Sequence, residues 1–166
     1  GESSYPTKPI RLIVPFSHGV SADNLARTLQ PPLSAVLGQP IVIDNRGGAS
    51  SVIGTELAAR ALPDGYTLLL ITTTHTVNPS LVKKLPYDTL RDFSAISLAV
   101  SQANILAVHP AVPAKTVKEL VGYAKSKATH VTYASGGSGS SPHLSGELFR
   151  LVAGIVATHA PFKSSG

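Results

Sequence analysis

Short apolar runs, each ending in a bend of small or polar residues and followed by apolar positions at helical spacing, set the strongest limit on what this chain can become. Ile10–Val14 is the first such run; Phe16–Ala22 is its bend, and Asp23–Leu37 then places Leu25, Ala26, Leu29, Leu33, Val36 and Leu37 close to a helical period. Pro31 and Pro32 fall inside that stretch, so a kink or two short helices are expected, and Gly38 supplies a stop. Ile41-Val42-Ile43, the turn Asn45-Arg46-Gly47-Gly48 and a helix over Ala49–Leu62 form a second unit, closed by Pro63-Asp64-Gly65. Thr67–Thr72 is a third strand, whose Leu68-Leu69-Leu70-Ile71 reads as buried on both faces. The polar bend Thr73-Thr74-His75 follows, then a helix over Asn78–Lys84 with Asn78 as cap and Pro79 at its first position.

Phe93–Val100 and Asn104–Val108 are candidate strands joined by Ser101-Gln102-Ala103. The rhythm then restarts: a helix over Thr116–Ser126, with Thr116 and Glu119 spaced as a capping box; a strand, Val131–Ala134; the Gly/Ser bend Ser135–Ser141; a helix, Pro142–Ala153; and a strand, Ile155–His159. Strand–bend–helix units in series specify an α/β fold with mostly parallel sheets. Ligands of such sheets sit beyond the carboxyl ends of the strands. The three most polar bends, 16–22, 72–76 and 135–141, all fall there.

Composition removes several alternatives. With 43% apolar and only 14% charged residues the chain can support a core. Its net charge of +5 is scattered, Lys83-Lys84 being the one adjacent basic pair, so a nucleic-acid partner is not expected, although small anions are attracted. The absence of Cys excludes disulfides, zinc–thiolate sites and Cys nucleophiles. No apolar run reaches the roughly 18 residues of a membrane helix. Position 1 is not Met, so Gly1-Glu2-Ser3-Ser4 reads as a mature N-terminus or a remnant of expression, with no signal peptide in this chain.

Small residues before a helix start leave backbone amides bare. About four unpaired amides and roughly half a positive charge at a helix N-terminus make an anion site. Four or five charge-assisted hydrogen bonds of ~1.5–3 kcal/mol each would hold a dicarboxylate at roughly micromolar affinity. The candidate ligand residues are Phe16, Ser17, His18, Gly19, Val20 and Ser21 in the first bend and Thr73, Thr74 and His75 in the second. Ser135, Gly136, Gly137, Ser138 and Ser140 supply the third, with His143 just beyond it. Asp23 reads as a helix N-cap that orders the first bend. Arg46 with its two glycines reads as turn chemistry, and Ser135–Ser141 is flanked too closely to be a flexible linker.

The catalytic templates fail. There is no Walker A loop; Gly137-Ser138-Gly139-Ser140-Ser141-Pro142 lacks the third glycine of a dinucleotide fingerprint; and Gly136–Ser140 misses the G-x-S-x-G elbow by one position. Six scattered histidines give no metal-ligand spacing, so neither metal nor cofactor is expected. Two alternatives stay open: a serine hydrolase using Ser17 or Ser138 with His18 or His143, and a non-binding, self-associating fragment.

The segments YPTKPIRLIVPF, LGQPIVIDNRGG, PDGYTLLL, THTVNPSL, KKLPYDTLRDF, VKELVGYAK, YASGGSGSSPHLSGELF and HAPFK, in this order, resemble the substrate-binding proteins of tripartite tricarboxylate transporters, the Bug family of periplasmic receptors. The resemblance implies a periplasmic-binding-protein-like (type II) fold with two α/β lobes. Residues 1–103 would form the first lobe, and 104–166 the beginning of an incomplete second, with a hinge near Ser101–Asn104. It further implies a non-enzymatic, periplasmic receptor that clamps a small carboxylate and delivers it to membrane transporter subunits. The three bends line the ligand in that family, with Phe162 and Lys163 near the cleft. His18 and Val20 stand where the family usually has Pro and Gly, Pro142 where Thr is common, and Phe162 where Tyr is common.

Overall fold

The computed structural model describes residues 5–126 and 131–162. The chain forms two compact units that divide between Ile96 and Ser97, N-terminal to the 103/104 boundary expected above.

In the first unit, β1 (Ile10–Val14) lies between β2 (Ile41–Asn45) and β3 (Thr67–Leu69), and both pairings are parallel. The central strand is the buried one: Ile10, Ile13 and Val14 are wholly inaccessible, and Leu12 nearly so. Burial of one such side chain stabilises the fold by about 1.5–3 kcal/mol. This reverses the expectation for the third strand. β3 is an edge strand of half-buried residues, three long instead of six, and Ile71 beyond it is exposed. An apolar run of that length is compatible with either place; sheet order decided it.

Helix α1 runs unbroken from Ser21 to Leu37, against the expected kink or split. Its buried face carries Ala22, Asp23 and Ala26, while Pro31 and Pro32 lie on the exposed side. The missing amides therefore cost no buried hydrogen bond. Gly38 ends the helix in the left-handed region, as expected. Helix α2 is shorter than expected, Val52–Ala59. Helix α3 spans Thr74–Leu81, not Asn78–Lys84. Thr73 is its N-cap, Asn78 lies in its interior and Pro79 is one residue further in. The cap signal of Asn-Pro was outweighed by packing: Thr74, His75 and Asn78 form its buried face.

Phe93–Val100 and Asn104–Val108 form no strand among the described residues. Beyond Phe93, which is half-buried, most of their apolar side chains stand in the open, Ile96 at 81% and Ile105 at 91% exposure. Strand-like composition gives a strand only where a neighbouring edge supplies backbone partners.

The second unit contains α4 (Val117–Ser126), β4 (Val131–Ser135), α5 (Ser141–Ala153) and β5 (Ala157–Pro161), with β4 and β5 parallel. The capping box is present: Thr116 Oγ1 accepts from the Glu119 amide at 3.2 Å, and Glu119 Oε2 accepts from the Thr116 amide at 3.2 Å and the Lys115 amide at 2.7 Å. Gly146 lets α5 sit against β4, because a Cβ there would lie 2.4 Å from the Tyr133 ring. Gly146→Ala is therefore expected to lose roughly 1–3 kcal/mol by overpacking, despite the ~1 kcal/mol helix-propensity gain of alanine. Urea denaturation followed by circular dichroism checks this.

Candidate functional site

In the first unit the connections leave β1 in opposite directions, to β2 on one side and ultimately to β3 on the other. The order reverses at β1, so a crevice is expected beyond its carboxyl end. Buried Pro15 leads directly into the bend Phe16–Val20.

Asp23 shapes that bend, though not as the N-cap expected. The N-cap is Val20, whose side chain makes no capping bond, and Asp23 sits three residues on in the first turn. Its fully buried carboxylate accepts from the Gly19 amide at 2.8 Å, Asn45 Nδ2 at 3.0 Å and Arg27 Nε at 3.0 Å. Asn45 Nδ2 also donates to the Phe16 carbonyl at 3.3 Å, tying the end of β2 to the bend. Gly19 takes φ 85°, a turn that positions its amide for Asp23. Burial pushes the Asp23 pKa up, but Arg27, the Gly19 amide and Asn45 together outweigh it and hold it at about 2. His18 is exposed, its Nε2 3.9 Å from the same carboxylate.

The second expected bend is the start of α3. The amides of His75, Thr76 and Val77 already turn back to Thr72 and Thr73 carbonyls. Thr74 is buried, and its hydroxyl lies 3.0 Å from Thr72 Oγ1 and 3.3 Å from Ser51 Oγ. His75 points into the unit: at 6% exposure its ring stacks on Tyr87 and meets the edge of Phe93. Burial lowers its pKa, against a backbone contact from Nε2 to the Thr89 carbonyl at 3.3 Å.

The third bend is held by side chains. Ser140 caps α5, accepting from the His143 amide at 3.4 Å and donating to the Gly137 carbonyl at 2.7 Å. His143 Nδ1 accepts from the Gly139 amide at 3.1 Å, so this ring faces the loop. Ser135 Oγ shares a hydrogen bond with His159 Nε2 at 2.6 Å, and the Gly137 amide donates to the same hydroxyl at 3.2 Å. The His159 ring stacks on His143 at 4.0 Å and on Tyr133 at 5.0 Å. Burial and the neighbouring His143 lower the His159 pKa. Tyr133 donates to Glu147 at 2.6 Å; burial and Glu147 push the phenol up to about 12, while Arg150 and Tyr133 hold Glu147 at about 2.

The expectation of wholly bare bends is thus corrected: Gly19, Gly137, Gly139 and Ser140 spend their amides internally. Outside the helices and strands, the amides of Ser17, His18 and Val20, of Thr73, and of Gly136 and Ser138 have no partner among the described residues. Ser17, His18, Thr73 and Ser138 are also exposed. Phe162 is exposed, its amide donating to the Ser135 carbonyl at 2.9 Å; Lys163 lies outside the described residues. Arg27, Asn45, Ser51, Asn78 and His159 were not anticipated. The Asp23–Arg27 spacing of four on a helix was visible in the sequence; the others become neighbours only through strand pairing and tertiary packing.

A hydrolytic centre does not form from the expected groups. Among the described residues neither Ser17 nor Ser138 hydrogen-bonds a histidine, and no carboxylate bonds His159. Nor does any group of three His, Asp or Glu gather as a metal site among those residues.

Parallel α/β units with polar bends beyond the carboxyl ends of their strands define the class of fold to which this chain belongs. The chain belongs to the tripartite tricarboxylate transporter family receptors, whose family model matches residues 25–166. It is 38% identical to protein BugT of Bordetella pertussis over 98% of this chain and 51% of that protein. Among solved structures, an R. palustris protein with adipate aligns at TM-score 0.85 and 35% identity, covering 97% of this chain and 54% of that one. MatC from Rhodopseudomonas palustris with bound malate aligns at TM-score 0.79 and 30% identity, over 97% and 55%. The chain spans about half the length of the curated relatives it matches.

Proposed function

We propose that this chain is the ligand-capturing part of a periplasmic, non-enzymatic receptor that binds a small organic carboxylate and hands it to the membrane subunits of a tripartite tricarboxylate transporter. The observation that carries the reading is the set of unpartnered amides beyond the parallel strands: Ser17, His18 and Val20 at the point where sheet order reverses, Thr73 at the start of α3, and Gly136 and Ser138 before α5. Such donors recognise carboxylate oxygens with little reorganisation. Family membership, and relatives solved with adipate and with malate, point to the same ligand class. Ser140, His143 and Asp23 hold the bends in shape, and His75, on the buried face of α3, packs against Tyr87. Isothermal titration calorimetry with mono-, di- and tricarboxylates, adipate and malate included, is expected to give a 1:1 isotherm with roughly micromolar Kd for at least one of them. Absence of heat across the panel would overturn the reading.

A further inference from the structure

Ala49, Ser50 and Ser51 have φ of 47°, 52° and 74°, three consecutive left-handed residues of which none is glycine. L side chains disfavour that region, and such a run persists only where its surroundings hold it. Besides the turn's own bond from the Val52 amide to the Ala49 carbonyl at 3.1 Å, the side chain that reaches it from α3 is Asn78. It is 1% exposed in the interior of α3, and its Nδ2 donates to the Ser50 carbonyl at 2.9 Å and lies 3.4 Å from Ser51 Oγ. Ser51 is itself buried, with its hydroxyl 3.3 Å from that of Thr74, and Thr74 reaches Thr72 at 3.0 Å. The Asn78 amide thus ties the loop after β2 to the interior of α3, and the Ser51 hydroxyl ties it to Thr74 in the first turn.

We propose that Asn78 is a positioning residue for the carboxylate site: it locks the left-handed turn Ala49–Ser51, and through Ser51 it fixes the Thr74 hydroxyl and the Thr73–Thr74 face at the start of α3. The proposal rests on the reading of that face as part of the ligand site. Without the Asn78 donor the turn is free to return to commoner backbone conformations, and Ser51 Oγ withdraws from Thr74. Because the stored conformation is the quantity being held, glycine at position 50, which takes positive φ without steric penalty, relieves the need for the tie.

The test compares the protein with Asn78→Ala, Ser51→Ala and the double variant Asn78→Ala/Ser50→Gly. Hydrogen–deuterium exchange reads residues 49–52, and calorimetry uses the tightest-binding carboxylate of the panel. Asn78→Ala is expected to speed exchange at 49–52 and to weaken binding, each about tenfold, while exchange in β1 stays unchanged. Ser50→Gly in that background is expected to recover most of both losses. A residue that merely packs α3 would not be repaired by glycine in a different loop, so unchanged exchange in Asn78→Ala, or no recovery in the double variant, overturns the proposal. If Asn78→Ala does not fold, Ser51→Ala decides: weaker binding with slow exchange at 49–52 supports the proposal, and wild-type binding overturns it. If the unmodified protein gives no heat with any carboxylate, the functional reading fails, while exchange at 49–52 still judges the hold of Asn78 on the turn.

Discussion

Asp23→Ala is expected to destabilise the first unit by about 3 kcal/mol, the lower end for breaking a buried ion pair. The lower end applies because Arg27 is 43% exposed and can turn to water once its partner is gone. The larger part of the loss comes from the Gly19 amide and Asn45 Nδ2, which lose a charged acceptor in a buried place. Asp23→Asn keeps the shape but removes the charge, so it should lose less. The effect depends on pH in a fixed direction. The native carboxyl is held at about 2, below its ordinary 3.8, so its contribution is present in full above about pH 4 and is lost as pH falls toward 2. Urea denaturation from pH 7 to pH 2 should therefore show the gap between wild type and Asp23→Asn closing at acid pH. A constant gap would mean that the charge is not what matters. Ligand affinity should fall with stability at neutral pH, since the bend 16–20 loses its internal brace.

The second large effect is expected at Gly54. A Cβ there would stand 2.6 Å from the Arg46 carbonyl oxygen and 2.8 Å from Pro15 Cα. Most of the colliding atoms are backbone, at the junction of β1, the loop after β2, and α2, and they cannot swing aside. Gly54→Ala should cost about 3 kcal/mol, the upper part of the range for overpacking. The ~1 kcal/mol that alanine ordinarily brings to a helix interior does not offset it. Thermal denaturation checks the loss, and a melting temperature at or above that of the wild type would show that α2 can shift outward.

Much of the framework was legible because the βα alternation is a local signal. Ile10–Val14 and the Gly38 stop needed nothing beyond neighbouring residues, and the Thr116/Glu119 cap was spelled out by spacing. What failed depended on partners. Leu68-Leu69-Leu70-Ile71 carries no mark of lying at a sheet edge, and Asn78-Pro79 is a sound local start that tertiary burial displaced. Phe93–Val108 has strand composition but no paired edge among the described residues. The site followed the same division. The loops were found from their small residues, but which amides stay free depends on side chains arriving from elsewhere. Asn45 comes from another strand to support the Phe16–Val20 bend, and His159 from β5 to hold Ser135.

The two prolines of α1 carry a last consequence. Lacking N–H groups, Pro31 and Pro32 withhold the donors that the carbonyls one turn earlier, of Arg27 and Thr28, would ordinarily receive. Both prolines are exposed, whereas Ala22 and Ala26 lie on the buried face, so the two forgone bonds belong to the side open to water. Long surface helices in general curve gently around the core they pack on, because their solvent-side hydrogen bonds are the longer ones. The residues that look like breakers in the sequence therefore sit where a seventeen-residue helix can give up two backbone bonds without opening its packed side.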